Sequence, residues 1–430
     1  MRDDIRKRIE AVRRGEVPEG YVSENHQLRP CDWRYEKIGK YLVAYDEYSN
    51  DTEQYELATS SRQGLMLQTD YYSDQRFDET AGGFHVVPEG YITYRHMSDD
   101  DIFKFNVNHL GAPVLVSPEY PVFTTADELH LGLLLEYLND SAEFRAFCRA
   151  QKKGSTRTRM YFSRLGEFSM PIPSKAEQQR IAEILSACDR VIELKQKLVE
   201  ELQQLKKTCL AKMFPQKGCT TPEIRFPGFT DPWEQRKVGE FTNVLSASRV
   251  HKDEWVTEGV PFFRSSDVVS AYKGTPNEKA FISESLYEEL VKSSGKLEQN
   301  DILITGGGSI GIPYIVPNND PLYSKDADLL WIKKSAVHDS RFLYAYFLSQ
   351  SFRDYICSIS HVGTIAHYTI EQVKDTTIFL PDMDEQKAVG SFFNSLDTLI
   401  TLQRREIEEV QQKKKALMQL LLTGLVRVNA

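Results

Sequence analysis

The sequence is poor in the features that announce chemistry. Its six cysteines are scattered and form no CxxC pair, which excludes a cysteine zinc site and fits a reduced compartment. Its nine histidines form no HExxH. No GKS or GKT occurs, which removes the P-loop. No apolar run is long enough to span a membrane, and the opening MRDDIRKRIEAVRR is not a signal peptide. A cytoplasmic protein is expected. Positive charge is also short: the net charge is −9. That weighs against nucleic acid, because neutralising phosphates needs clustered Lys and Arg. One face of a large two-sided protein can still be basic.

What the chain does have is an internal repeat. PSKAEQQRIAEILSACDRVIELKQKLVEELQQLKK, from Pro173, returns from Pro381 as PDMDEQKAVGSFFNSLDTLITLQRREIEEVQQKKK, at a constant offset of 208 residues. Pro173, Glu177, Gln178, Asp189, Glu200 and Lys207 are among the residues that recur. Such a repeat outranks any local motif. Each copy reads as a long helix with a heptad seam. The first seam is Ile184, Cys188, Val191, Lys195, Leu198, Leu202, Leu205 and Cys209; the second is Phe393, Leu396, Ile400, Gln403, Ile407, Val410, Lys414, Leu417 and Leu421. So narrow a stripe suits a coiled-coil partner. Both helices start with a proline and an acidic first turn, which complements the helix dipole.

The repeat extends upstream. Trp33 opens WRYEKIGKY and Trp233 opens WEQRKVGEF. With 430 residues, 41% hydrophobic and 11% aromatic, the chain can bury several cores. Before the first motif lies a basic amphipathic helix within residues 1–15. Strands are expected at 41–45, 65–68, 114–116, 261–264, 301–305, 314–316 and 329–332, with helices near 129–150 and 340–359. PQKGCTTPEIRFPGFTDP, after the first long helix, is a linker by composition.

Three motifs imitate catalytic sites. Gly306 to Gly311 matches GxGxxG, but a second strand follows where a dinucleotide fold needs a helix, so a glycine-rich hairpin is expected. Asp320-Pro-Leu-Tyr323 lacks the second proline of an amino-methyltransferase loop. Pro381-Asp382 with Glu385-Gln-Lys387 imitates a nuclease set, yet the first copy has Ser174 and Gln179 in place of Asp382 and Lys387. Binding chemistry remains. A donor-rich loop closes each half: Lys152, Lys153, Ser155, Arg157 and Arg159 in the first; His361, Thr364 and His367 in the second. Arg62, Gln63, Arg95, Arg264, Ser265, Ser266 and Ser309 are further candidates to meet phosphates or base edges.

These phrases resemble the specificity subunit of type I restriction–modification enzymes. GVPFFRSSDV (259–268), DILITGGGSIG (301–311), GTIAHYTIEQV (363–373) and LPDMDEQKAV (380–389) carry the likeness in the second half. DWRYEKIG, SPEYPVF (117–123) and MPIPSKAEQQRIA (170–182) carry it in the first, which has no counterpart of DILITGGGSIG. The resemblance implies an α+β protein: two mixed α/β target recognition domains separated by two long helices that pair as an antiparallel coiled coil, with an internal pseudo-twofold repeat. The expected domains are an N-terminal helical extension (1–29), recognition domain one (30–170), helix one (171–214), linker (215–232), recognition domain two (233–380) and helix two (381–430). Each recognition domain would read half of a bipartite double-stranded DNA site. A helix of about 38 residues spans roughly 57 Å, long enough to act as a ruler for half-sites about 34 Å apart.

By the same resemblance the chain is non-catalytic and holds no cofactor or metal. Two methyltransferase subunits would bring S-adenosylmethionine, and restriction–translocase subunits would bring ATP and magnesium. Exposed Glu177, Gln178, Glu385 and Gln386 are the expected docking points. Two alternatives stay open: a coiled-coil adaptor that binds only proteins, and an enzyme that uses the Gly306–Gly311 loop for a nucleotide.

Overall fold

The computed structural model describes residues 3–24, 27–71, 83–152, 157–324, 329–359 and 367–428. They form two units: residues 1–194 with 407–430, and residues 195–406. Both long helices, Lys175–Lys212 and Met383–Leu422, are divided between the units.

In the first unit an antiparallel four-stranded sheet runs in the order Phe105–Val107, Ile92–Tyr94, Val122–Thr125, Leu42–Ala44. A five-stranded sheet runs Tyr48–Ser49, Phe84–Val87, Val114–Val116, Glu56–Ser61, Gly64–Leu67, with one parallel pair between the third and fourth. The expected helix at 129–150 is two helices, Leu131–Asp140 and Ala142–Ala150. They break at Ser141, whose hydroxyl caps the second by accepting from the Phe144 N–H at 3.1 Å. Their inner faces (Leu133, Leu134, Tyr137, Phe144) join Ile181 and Leu185 of the first long helix and Met418 and Leu421 of the second in one core.

In the second unit an antiparallel sheet runs Val244–Leu245, Leu329–Ile332, Ile302–Thr305, Pro313–Ile315. A second sheet runs Trp255–Val256, Ala280–Ile282, Val260–Phe263, Tyr323–Ser324. The expected helix at 340–359 again breaks at a capping serine, Ser349, between Ser340–Leu348 and Gln350–Ile359. Phe214, Trp233, Phe342 and Phe393 stack into the core beside the long helices.

Two short ladders explain the tryptophan motifs. Arg34–Lys37 pairs antiparallel with Ser169–Ile172, and Glu234–Lys237 with Thr377–Leu380. Each sets its motif beside the strand that feeds a long helix. The glycine of each motif allows close approach: a Cβ on Gly39 would lie 2.8 Å from the Gly166 carbonyl oxygen, and one on Gly239 2.9 Å from the Lys374 Cβ.

The second helix keeps its expected seam. The first does not. Leu185, Val199, Leu202, Cys209 and Met213 are buried, whereas Val191, Leu198 and Leu205 are exposed. The seam shares Cys188, Lys195, Leu202 and Cys209 with the expected one but takes the other alternate set. Lys206 fills the slot that the expected seam gives to Leu205. Its stem lies inward and its ammonium meets Asp397. In the second unit Lys195 also bonds Gln403 Oε1 at 3.0 Å. In the first, Lys414 bonds Asp189 at 2.7 Å. Lys206–Asp397 and Lys414–Asp189 are the same pair at the repeat offset. Burial works against the Lys414 ammonium, but Asp189 and Glu136 outweigh it and hold the amine well above the ordinary lysine range.

Residues 215–232 have no regular structure but are tied down. The Ile224 N–H donates to the Lys212 carbonyl at 3.0 Å, and Phe226 packs edge-on to Phe392. The N-terminal stretch forms a helix, Asp3–Arg13, and a hairpin, Tyr21–Glu24 with Gln27–Pro30. It covers the segment after the second long helix: Arg8 donates to the Leu425 carbonyl at 3.2 Å and the Tyr21 hydroxyl to that of Gly424.

Candidate nucleic-acid interface

The four residues expected as exposed docking points are buried: Glu177 is 4% exposed, Gln178 1%, Glu385 0% and Gln386 2%. Each Glu-Gln pair is an internal clamp. Glu177 accepts from the Trp33 indole at 3.0 Å and from Arg427 at 2.7 and 2.8 Å. Glu385 accepts from the Trp233 indole at 3.1 Å and from Arg225 at 2.7 and 2.8 Å. Gln178 accepts from the His130 N–H at 2.7 Å and donates to the Glu128 and Pro173 carbonyls. Gln386 accepts from the Asp339 N–H at 2.9 Å and donates to those of Val337 and Pro381. A bidentate arginine–carboxylate pair with satisfied neighbours can be buried at tolerable cost. The clamps thus lock each recognition domain to the start of a long helix. The sequence contained the signal, since Trp and Glu-Gln both recur, but not the partnership.

In the first unit, Arg62, Lys152 and Arg157 converge on one acidic run that the sequence reading passed over. Arg157 Nε donates to Asp99 at 2.7 Å, Arg62 pairs with Asp100, and Lys152 lies 3.4 Å from Asp101. Burial works against Asp100, yet hydrogen bonds from Arg62 and Ser98 hold its carboxyl below the usual range. Thr158 donates to Asp101, whose φ of +63° marks a tight turn. The ladder Met97–Ser98 with Thr158–Arg159 joins the two loops. Arg159 stands exposed beside Tyr161, 3.4 Å from its hydroxyl; the Tyr161 ring stacks on His96. Arg95 and Gln63 are exposed, the latter at the tip of the hairpin between Glu56–Ser61 and Gly64–Leu67. Both pairs are exposed, so the carboxylates bias the guanidinium orientations without fixing them and leave N–H groups open to a base edge or a phosphate. Lys153 and Ser155 lie outside the described residues.

In the second unit Arg264 is mostly sunk. Its Nε donates to Asp267 at 2.9 Å, and its guanidinium lies over the Trp255 ring at 5.3 Å. It fixes the start of the helix Ser265–Lys273, at which Ser266 is exposed and accepts from Asn277 at 3.2 Å. The Ser265 hydroxyl is buried and has no hydrogen-bond partner among the described residues. The glycine-rich stretch is a hairpin turn between Ile302–Thr305 and Pro313–Ile315. Gly311, at φ +76°, passes where a Cβ would sit 2.8 Å from Phe352. Ser309 is exposed at this turn. The Tyr368 N–H donates to the Gly306 carbonyl at 2.7 Å, which brings exposed His367 to the same place. His361 and Thr364 lie outside the described residues. Among the described residues, no group of three or more His, Cys, Asp or Glu could hold a metal ion. No helix among the described residues is long and apolar enough to cross a membrane.

The family described as "Type I restriction modification DNA specificity domain" matches residues 106–204 and 230–412. The type I restriction enzyme MjaVIII specificity subunit of Methanocaldococcus jannaschii is 27% identical over 425 residues, which cover 94% of this chain and 96% of that protein. The putative MjaX specificity subunit of the same organism is 25% identical over 386 residues, 83% of this chain and 86% of its own. The solved S subunit of a type I system from M. genitalium superposes with a TM-score of 0.57 at 14% identity, covering 95% of this chain and 98% of that one.

Proposed function

Because the chain belongs to the type I restriction–modification DNA specificity family, with a non-catalytic role in recognising DNA, we propose that each of its two units reads one half of a bipartite site. The observation that carries this reading is the doubled build. Two units raise the same Trp–Glu–Arg clamp but surround it with different polar loops, the arrangement expected of one scaffold presenting two sequences. Arg62 and Arg157, with Arg95 and Arg159, serve the first half-site. Ser266, Ser309 and His367 serve the second.

The pairing of the long helices supports a ruler. Rising numbers on one helix meet falling numbers on the other, as in Lys195 with Gln403 and Lys206 with Asp397, so an antiparallel coiled coil sets the spacer. Methyltransferase subunits bring S-adenosylmethionine and the base chemistry; translocating nuclease subunits bring ATP and magnesium. The contact for two methyltransferase copies is the exposed apolar pair Val191 and Leu194, 41% and 69% exposed, and its repeat Leu399 and Leu402, 39% and 47%. Two equivalent patches at one offset of 208 residues suit two identical partners.

Co-expression with the methyltransferase subunit in a host lacking adenine methylation, followed by modified-base sequencing, tests the reading. One split motif with a fixed spacer is expected. Co-purification without any methylation would instead favour the protein-only adaptor.

A further inference from the structure

The second unit contains a groove of about 680 Å³ beside the long helices. Its lining carries five cationic side chains, Lys206, Lys207, Lys273, Arg353 and Arg404, against one carboxylate, Asp397. Asp397 is already engaged by Lys206. Lys207, Lys273, Arg353 and Arg404 are exposed, and among the described residues none has a carboxylate within salt-bridge distance. In a chain of net charge −9, four uncompensated cations in one concavity are a departure. Low-dielectric walls focus such a field on an anion.

Building on the DNA-recognition reading, we infer that this groove grips the sugar–phosphate backbone of DNA without regard to sequence. Lys207, Lys273, Arg353 and Arg404 supply the contacts. Position favours a continuous polyanion. The helix Ser265–Lys273 starts at the base-reading candidates and ends in the groove, and its nine residues cover roughly 13 Å. A strand read at Ser266 is therefore within reach of Lys273. The first unit repeats the groove only in part: the offset keeps Lys415 for Lys207 and Arg145 for Arg353 but puts Gln196 where Arg404 stands, and Lys414, the repeat of Lys206, is surrounded by Asp189, Glu136 and Asp140. Phosphate-only contacts position a protein and carry no sequence information.

The test uses the full chain in complex with its methyltransferase, with duplexes carrying the methylated motif or a scrambled one, titrated across salt concentrations. The variant combines Lys207→Ala, Lys273→Ala, Arg353→Ala and Arg404→Ala. All four sites are exposed, so folding is not at stake. Each lost phosphate contact lowers the slope of log K against log salt by about 0.9. The expected result is a slope reduced by about three to four, with both duplexes weakened alike and their affinity ratio kept. An unchanged slope overturns the assignment. So does an unchanged slope with loss of the methyltransferase, which would make the groove a seat for an acidic protein surface. Absence of sequence-dependent binding by the unsubstituted complex would instead sink the DNA-recognition reading itself.

Discussion

Replacing Glu385 by glutamine should unfold the second unit early rather than strip a partner from it. The carboxylate holds Arg225 through two hydrogen bonds of 2.7 and 2.8 Å and the Trp233 indole at 3.1 Å. The Arg225 side chain is only 15% exposed, so its charge would lose its counter-ion with little water to replace it. Breaking one side of a buried pair costs about 3–5 kcal/mol. Glutamine keeps one acceptor oxygen, which places the expected loss near 3 kcal/mol. For a unit of this size that is a fall of roughly 6–12 °C in its melting temperature. Calorimetry with tryptophan fluorescence should show one of two transitions moving, since two units need not melt together. Glu177→Gln should move the other. A shift equivalent to less than about 0.5 kcal/mol, the size of an ordinary surface substitution, together with loss of methyltransferase capture, would refute the clamp and restore Glu385 as a docking group.

Three further outcomes are expected. Deleting seven residues from each long helix in register should change or abolish the spacer between methylated half-sites while leaving the half-sites themselves; an unaltered spacer in modified-base sequencing removes the ruler. Lys414→Met should cost about 3 kcal/mol by stranding the buried Glu136 carboxylate beside the more exposed Asp140 and Asp189, and Lys206→Met, whose one carboxylate partner is likewise partly exposed, nearer 1 kcal/mol. Because burial raises the Glu136 carboxyl to about 7, the Lys414→Met penalty should shrink when denaturation is repeated at pH 6 instead of pH 8. His338 is buried, and burial lowers its imidazole to about 4. Its neutral form therefore contributes stability that is full above the unfolded value near 6.5 and is lost as pH falls toward 4. Between pH 7.5 and pH 5 the loss is about 2 kcal/mol, and His338→Gln should flatten that part of the urea-denaturation profile.

The large features were legible because they rest on periodicity. The doubled helices, the hairpin at Gly306 and the strands from Ile302 and Leu329 all follow from spacing that a single residue cannot spoil. The register of the first helix was not legible, because two seams share Cys188, Lys195, Leu202 and Cys209. Leucines at 198 and 205 look better buried than Val199 and Lys206, and only the partner Asp397 reverses the choice. Glu177 and Glu385 misled for a related reason. A carboxylate in a first helical turn ordinarily faces water, and the arginine that draws it inward lies 250 residues away in one case and 160 in the other. Asp99 and Asp100 were not legible as partners because Arg157 lies 58 residues from the first and Arg62 38 residues from the second.

Those separations also order events on the ribosome. Although residues 63–159 are made first, their unit needs residues 407–430, so its clamp must wait for Arg427. At roughly 5–20 residues per second, Glu177 is left without its arginine for about 12–50 s. The second unit, continuous from 195 to 406, is complete before then. The half of the molecule that is synthesised first is the last to close, and during that interval Glu177 and the apolar face around Ile181 and Leu185 are the surfaces that a chaperone would have to shield.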